Sequence, residues 1–178
     1  MSGKAPDAAR LYAAAMNHLA RYAATEASLA AALARLVERW GQKQSDESEA
    51  EAIAHHVRRA KAEIPAVLAR LVELGLLNDE AFAASRAKRL TRSGKSRRAT
   101  LAHLNAKGIQ SPDLPDDPAL ELAAACAYLR RRRAGPYGDV APEKILAAMA
   151  RGGFSQAVAR KALALGREEA DEMISSLA

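Results

Sequence analysis

Aromatic side chains are scarce in this sequence. Phe, Trp and Tyr together make up 4% of its 178 residues, with one Trp and two Phe. A core without large rings has to be filled by aliphatic groups, and alanine supplies much of the 49% apolar fraction. Alanine is the best helix former but buries little surface, so its abundance points to helices packed closely side by side. Val and Ile are sparse and never sustain a strand-like alternation with polar residues. The expected fold class is all-α.

Cysteine is limited to Cys126, which excludes an intramolecular disulfide and points to a reduced, cytoplasmic setting. The opening MSGKAPDAARLY has no apolar signal core, and no uncharged run is long enough to span a bilayer. No membrane partner is expected.

Charge is present in quantity and unevenly placed. The net charge is +6, and from Arg86 to Lys107 there are eight Lys/Arg and no Asp/Glu. Acids collect elsewhere, at Asp46 to Glu51, Asp113 to Asp117 and Glu168 to Glu172. One face or edge should therefore be strongly positive and suited to a polyanion or an acidic protein surface.

Helical spacing organises the chain. Leu11, Ala15, His18, Leu19 and Tyr22 form one stripe of a helix over about Pro6 to Tyr22. Thr25 starts a second helix with Leu29, Leu33, Leu36, Val37 and Trp40 on its apolar face, and Gly41 is read as its stop. Ile53 to Leu74 is helical in pattern, punctuated by Pro65, as two abutting helices or one kinked one. Asn78 or Asp79 caps a helix over Glu80 to Thr91. A helix carrying Leu101 and Leu104 follows Ser93-Gly94, and SPDLPDDP, Ser111 to Pro118, is a connector. Helices over Ala119 to Arg133, Pro142 to Arg151 and Ser155 to Leu165 complete the pattern.

Within this order lies a repeat. Leu101 to Ile109 aligns with Leu146 to Phe154 at an offset of 45, and Leu33 to Trp40 is a looser copy 68 residues before Leu101. A unit of about three helices used three times accounts for it, with neighbouring units burying each other's apolar stripes. The expected divisions are 11–77 with an insertion at about 42–62, then 78–118, then 119–165. Residues 1–10 and 166–178 are read as terminal extensions.

No catalytic or cofactor-binding constellation emerges. Ser93-Gly94-Lys95-Ser96 resembles the end of a phosphate-binding loop, but Arg89 stands where that loop needs a glycine, and a helix precedes it instead of a strand. The adjacent His55 and His56 diverge by about 100° on a helix and cannot share a metal as an i, i+4 pair would. Cys126 shares a face with Leu122 and Leu129 and reads as a small core residue. The expectation is a chain without enzyme activity, cofactor or metal.

The basic cluster remains. Lys88, Arg89 and Arg92 recur at helical spacing, while Lys95, Arg97 and Arg98 fall in a turn and at the start of the next helix. Cations at a helix N-terminus oppose its dipole by roughly 0.3–1 kcal/mol each, which a merely solubilising surface would avoid. Arg130, Arg131, Arg132 and Arg133 end the helix of the third unit, where cations are favourable, yet four in a row exceed what a cap needs. With Arg86 and Lys107, these are the candidate partner- or DNA-binding residues.

Leu76-Leu77-Asn78-Asp79-Glu80-Ala81-Phe82-Ala83, followed by Arg86, Arg89, Ser93-Gly94, Arg97, Leu101, Leu104 and Lys107-Gly108-Ile109, resembles the middle of the RecX family of recombination regulators. The resemblance extends from about Leu11 to Leu165. It implies three tandem three-helix repeats in an elongated, curved arrangement. It also implies a non-catalytic regulator that binds the RecA recombinase filament on single-stranded DNA and inhibits its ATP hydrolysis and strand exchange; separately, the chain is expected to be a monomer. Contact with single- or double-stranded DNA is expected alongside. The alternative is a sequence-specific repressor of helix-turn-helix type, with Ser96 to Ile109 as recognition helix and Arg97 and Arg98 at its start.

Overall fold

The structure, a computed structural model, describes residues 4–44 and 50–177. All regular structure among them is helical and no strand is present, as composition required. The helices are α1 (Ala8–Leu19), α2 (Glu26–Gln42), α3 (Ala50–Ala62), α4 (Ile64–Glu73), α5 (Asp79–Arg92), α6 (Arg97–Asn105), α7 (Pro118–Arg132), α8 (Pro142–Arg151), α9 (Gln156–Ala164) and α10 (Arg167–Ser175). A short 3₁₀ turn, Gly135–Tyr137, lies between α7 and α8. The chain packs as two compact units, Met1–Phe82 and Ala83–Ala178, with the boundary inside α5.

In the first unit, α2 packs against α1, α3 and α4. Leu11 and Ala15 of α1, Leu29, Leu33 and Val37 of α2, and Val67, Leu68 and Leu71 of α4 fill its core. Thr25 opens α2 through a capping box: its hydroxyl accepts from Ser28 N at 3.1 Å, and Thr25 N donates to Ser28 Oγ at 2.9 Å. Asn78, not Asp79, caps α5, accepting from Ala81 N at 2.8 Å. Asp79 serves α2 instead, its Oδ1 accepting from Glu26 N at 2.9 Å.

In this unit one sequence expectation is corrected and one open choice is resolved. Gly41 does not stop α2 but lies within its last turn. A Cβ there would fall 2.8 Å from Val57 Cγ2 of α3, so glycine provides close approach rather than a helix end. Around Pro65 the open choice resolves into two abutting helices, broken at Glu63, with Pro65 in the first turn of α4. The expected insertion at about 42–62 holds the end of α2 and all of α3; Ser45 to Glu49 lie outside the described residues.

The second unit is built round α7. Its residues from Leu122 to Ala127, together with Leu129, are all buried, so this helix is enclosed on every side. Alanine-rich α7 permits close approach of α9 and α10. Ile145, Met149, Phe154, Ala159, Ala162, Ala170 and Ile174 complete the core. The chain after Leu165 is therefore not a loose extension: α10 buries Ala170 and Ile174, and Leu177 beyond it is buried as well.

The sequence repeat at offset 45 lands on a shared way of ending a helix. Ile109 N donates to Leu104 O at 3.1 Å, and Phe154 N donates to Met149 O at 3.1 Å. Gly108 and Gly153 precede them at positive φ, 85° and 94°. This six-to-one bond around a left-handed residue is the Schellman motif. Leu33 to Trp40, the looser copy, lies inside α2 and does not share it.

Candidate functional site

The basic cluster grows from the end of α5. Leu90 O accepts from Lys95 N at 3.0 Å and Thr91 O from Gly94 N at 2.9 Å, with Gly94 at φ 77°. This is again a Schellman ending, and it explains the Ser-Gly-Lys-Ser string. Both loop amides are satisfied within the turn, leaving no cradle for a nucleotide phosphate. Gly94 is buried, because a Cβ there would fall 2.6 Å from Tyr128 N of α7.

Ser96 then caps α6. Its Oγ accepts from Ala99 N at 3.1 Å and donates to Gly152 O at 2.7 Å, tying the turn to the end of α8. The first amide of α6, Arg97 N, donates to Glu121 Oε2 of α7 at 2.8 Å. The carboxylate thus occupies the positive end of the α6 dipole. Burial raises the Glu121 carboxyl above its ordinary value, while the Arg97 amide and charge pull it down.

The arginines divide into two groups. Arg97 is half-buried and reaches back to the connector, Nε donating to Pro115 O at 3.2 Å and Nη2 to Leu114 O at 3.1 Å. Arg98 Nη2 donates to Ala150 O at 3.3 Å, and Arg131 Nη1 donates to Ser93 O. Arg86 Nε donates to His103 Nε2 at 2.9 Å. Arg130 approaches Asp171 at 3.8 Å, and the Arg132 guanidinium lies 5.1 Å from the Tyr128 ring centroid. All but Arg132, whose contact lies within α7, also tie elements of the second unit together.

Lys88, Arg89, Arg92 and Lys95 form the other group. All four are exposed, and none has an ion pair or side-chain hydrogen bond among the described residues. Lys88 and Arg92 stand four residues apart on one face of α5, with Lys95 in the following turn. Arg133 is exposed at the end of α7 in the left-handed conformation, φ 51°. Lys107 is exposed just beyond α6.

The remaining chemical candidates are quiet. Cys126 is buried, and burial pushes its thiol up, as befits an inert core residue. His55 and His56 are exposed on α3. No cluster of three or more metal-ligating side chains occurs among the described residues, and no described helix is long and apolar enough to cross a membrane. Sequence reasoning missed Glu121 and the connector carbonyls, since nothing local in the sequence links them to Arg97.

No family model and no solved structure matches the chain. Two curated proteins do. The chain is 35% identical over 162 residues to the Regulatory protein RecX of Myxococcus xanthus, covering 84% of this chain and 82% of that protein. It is 34% identical over 106 residues to the Regulatory protein RecX of Agrobacterium fabrum, covering 56% of this chain and 58% of that protein. Identity at this level, sustained over most of both chains in the first case, places the protein in the RecX family of regulatory proteins.

Proposed function

We propose that this protein is a non-catalytic regulator of the RecA recombinase, binding its filament on single-stranded DNA and lowering its ATP hydrolysis and strand exchange. The observation that carries the reading, beside family membership, is the group of exposed cations Lys88, Arg89, Arg92 and Lys95 without partners among the described residues. Such a group meets an anionic surface without first breaking an internal ion pair. Arg133 and Lys107 extend the contact. Arg86, Arg97, Arg98, Arg130 and Arg131 act first as the braces of the face, adding positive potential from behind, and Arg132 adds to that potential from the end of α7. Where filament DNA contributes, each phosphate neutralised steepens the salt dependence of log affinity by about 0.7 for a single strand.

A helix-turn-helix repressor fits less well. Its recognition helix would present Arg97 and Arg98 to base edges. Here those guanidinium groups donate to the carbonyls of Leu114, Pro115 and Ala150.

The test is titration into the RecA recombinase of the same organism on single-stranded DNA, following ATP hydrolysis. The wild type is compared with a variant carrying Lys88→Ala, Arg89→Ala, Arg92→Ala and Lys95→Ala. Suppression by the wild type that the folded variant largely loses is the expected result. Equal suppression by both would remove these cations from the contact. No effect of the wild type would refute the proposed function itself.

A further inference from the structure

The Arg86 guanidinium of α5 donates from Nε to His103 Nε2 of α6 at 2.9 Å, and both side chains are half-buried. Arginine is not deprotonated in proteins, so the accepting atom must be a lone pair on His103. The imidazole is therefore neutral, with its proton on Nδ1. A neutral ring here takes the place that a carboxylate ordinarily takes beside an arginine. Neither residue has another hydrogen bond, ion pair or ring contact among the described residues. The other three histidines, His18, His55 and His56, make ring contacts instead.

The charged neighbours of the pair are cations. On α5, Arg89 follows Arg86 by three residues on the same side, and beyond α6, Lys107 follows His103 by four; both are exposed. The acids of α5, Asp79 and Glu80, lie in its first turn, where Asp79 accepts from Glu26 N. Beside α6, Glu121 of α7 accepts from Arg97 N, and Asp113 of the connector lines a cleft with Thr100. The α8 helix meets the opposite end of α6, through Ser96 and Arg98. No carboxylate pairs with Arg86 or His103 among the described residues.

A second proton on the imidazole occupies Nε2 and turns the acceptor into a donor. Two N–H groups then face each other, and two like charges stand at hydrogen-bond distance, so the bond opens. An imidazole ordinarily takes up that proton between about pH 8 and 5. Given that the basic face is the filament contact, as proposed above, we propose that the Arg86–His103 pair is a proton-operated switch upon it. At neutral pH the bond holds Arg86 against α6. In acid the imidazolium adds its charge and the Arg86 guanidinium is set free beside Arg89, so the anionic partner is bound more tightly.

The first experiment is NMR on the full-length, isotope-labelled protein, without recombinase or DNA, from about pH 7.5 to about pH 5.5. At the upper end His103 should show the Nδ1–H tautomer, and the Arg86 Nε–H signal should be protected from exchange with solvent. That protection should vanish as the His103 ring gains its proton. The Nε2–H tautomer at His103, or protection of Arg86 that outlasts protonation of the ring, would overturn the proposal. Binding to the RecA filament on single-stranded DNA then compares the wild type with His103→Gln, whose side-chain carbonyl can accept from Arg86 at every pH. The other histidines and the filament itself titrate alike in both. Between the same two pH values the wild type should gain affinity over His103→Gln by about threefold or more. An equal change in both proteins would overturn the regulation. No binding by either protein at any pH would overturn the filament contact and its control by acid together, while the NMR result, which needs neither partner, still decides the switch.

Discussion

Gly94 and Tyr128 stand closer than any other residue at the glycine position would allow: a Cβ on Gly94 would meet the Tyr128 backbone nitrogen at 2.6 Å and its Cα at 2.8 Å. The turn that carries the basic cluster is thereby pressed onto α7, the central helix of its unit. Backbone cannot swing aside as a side chain can. The left-handed φ of 77° adds a second reason for glycine.

Gly94→Ala should therefore cost both a left-handed alanine and an overpacked contact, about 2–4 kcal/mol together. Gly75 supplies the control. It has a similar φ of 67° but nothing within 4 Å of its would-be Cβ. Gly75→Ala should cost only about 1–2 kcal/mol. Urea unfolding of the two variants measures the difference, and equal losses would deny that the α7 contact constrains Gly94.

Neighbouring cations should behave oppositely. Arg97→Ala removes two donors to the connector carbonyls and should lower stability by about 1–2 kcal/mol, discounted for partial exposure. Lys95→Ala should stay within about 0.5 kcal/mol of the wild type while weakening the filament contact. Thermal melts paired with the ATP hydrolysis titration separate the two roles.

The adjacent Asn78 and Asp79 cap different helices. Asn78→Ala should cost about 1 kcal/mol by uncapping α5, and Asp79→Ala about as much by uncapping α2. Amide hydrogen exchange distinguishes them. Protection should fall at the start of α5 in the first variant and around Glu26 in the second.

Tyr137 gives a signature in alkali. Burial and its hydrogen bond to Asp171, 2.8 Å, push the phenol up to about 12 from an ordinary value of 10.0. The folded state keeps the proton that the unfolded chain releases. The stabilisation is thus complete below pH 10 and is lost as pH rises towards 12. Melting temperature should fall across that interval in the wild type, and Tyr137→Phe should flatten the decline. A decline unchanged in Tyr137→Phe would assign it to other groups.

Much of the fold could be read directly. Thr25, Asn78 and Ser155 announce helix starts, and Gly75, Gly94, Gly108 and Gly153 announce ends, because caps act over three to five residues. α10 was readable too: Ala170, Ile174 and Leu177 follow helical spacing, but the surrounding acids from Glu168 to Glu172 obscured them. Gly41 was misread for a different reason. A helix end and a close helix contact both call for glycine, and only the position of Val57 distinguishes them.

By itself, then, the sequence determined an all-α chain with a concentrated positive segment and carried the motifs of the RecX family. Those properties depend on composition and on spacings within a few residues. Which cations face outward was decided only by the tertiary structure. Arg97 meets carbonyls 17 and 18 residues away, Arg98 one 52 away, and Arg131 one 38 away. A guanidinium pairs with whatever acceptor packing brings near it, and no local rule of the chain records that distance.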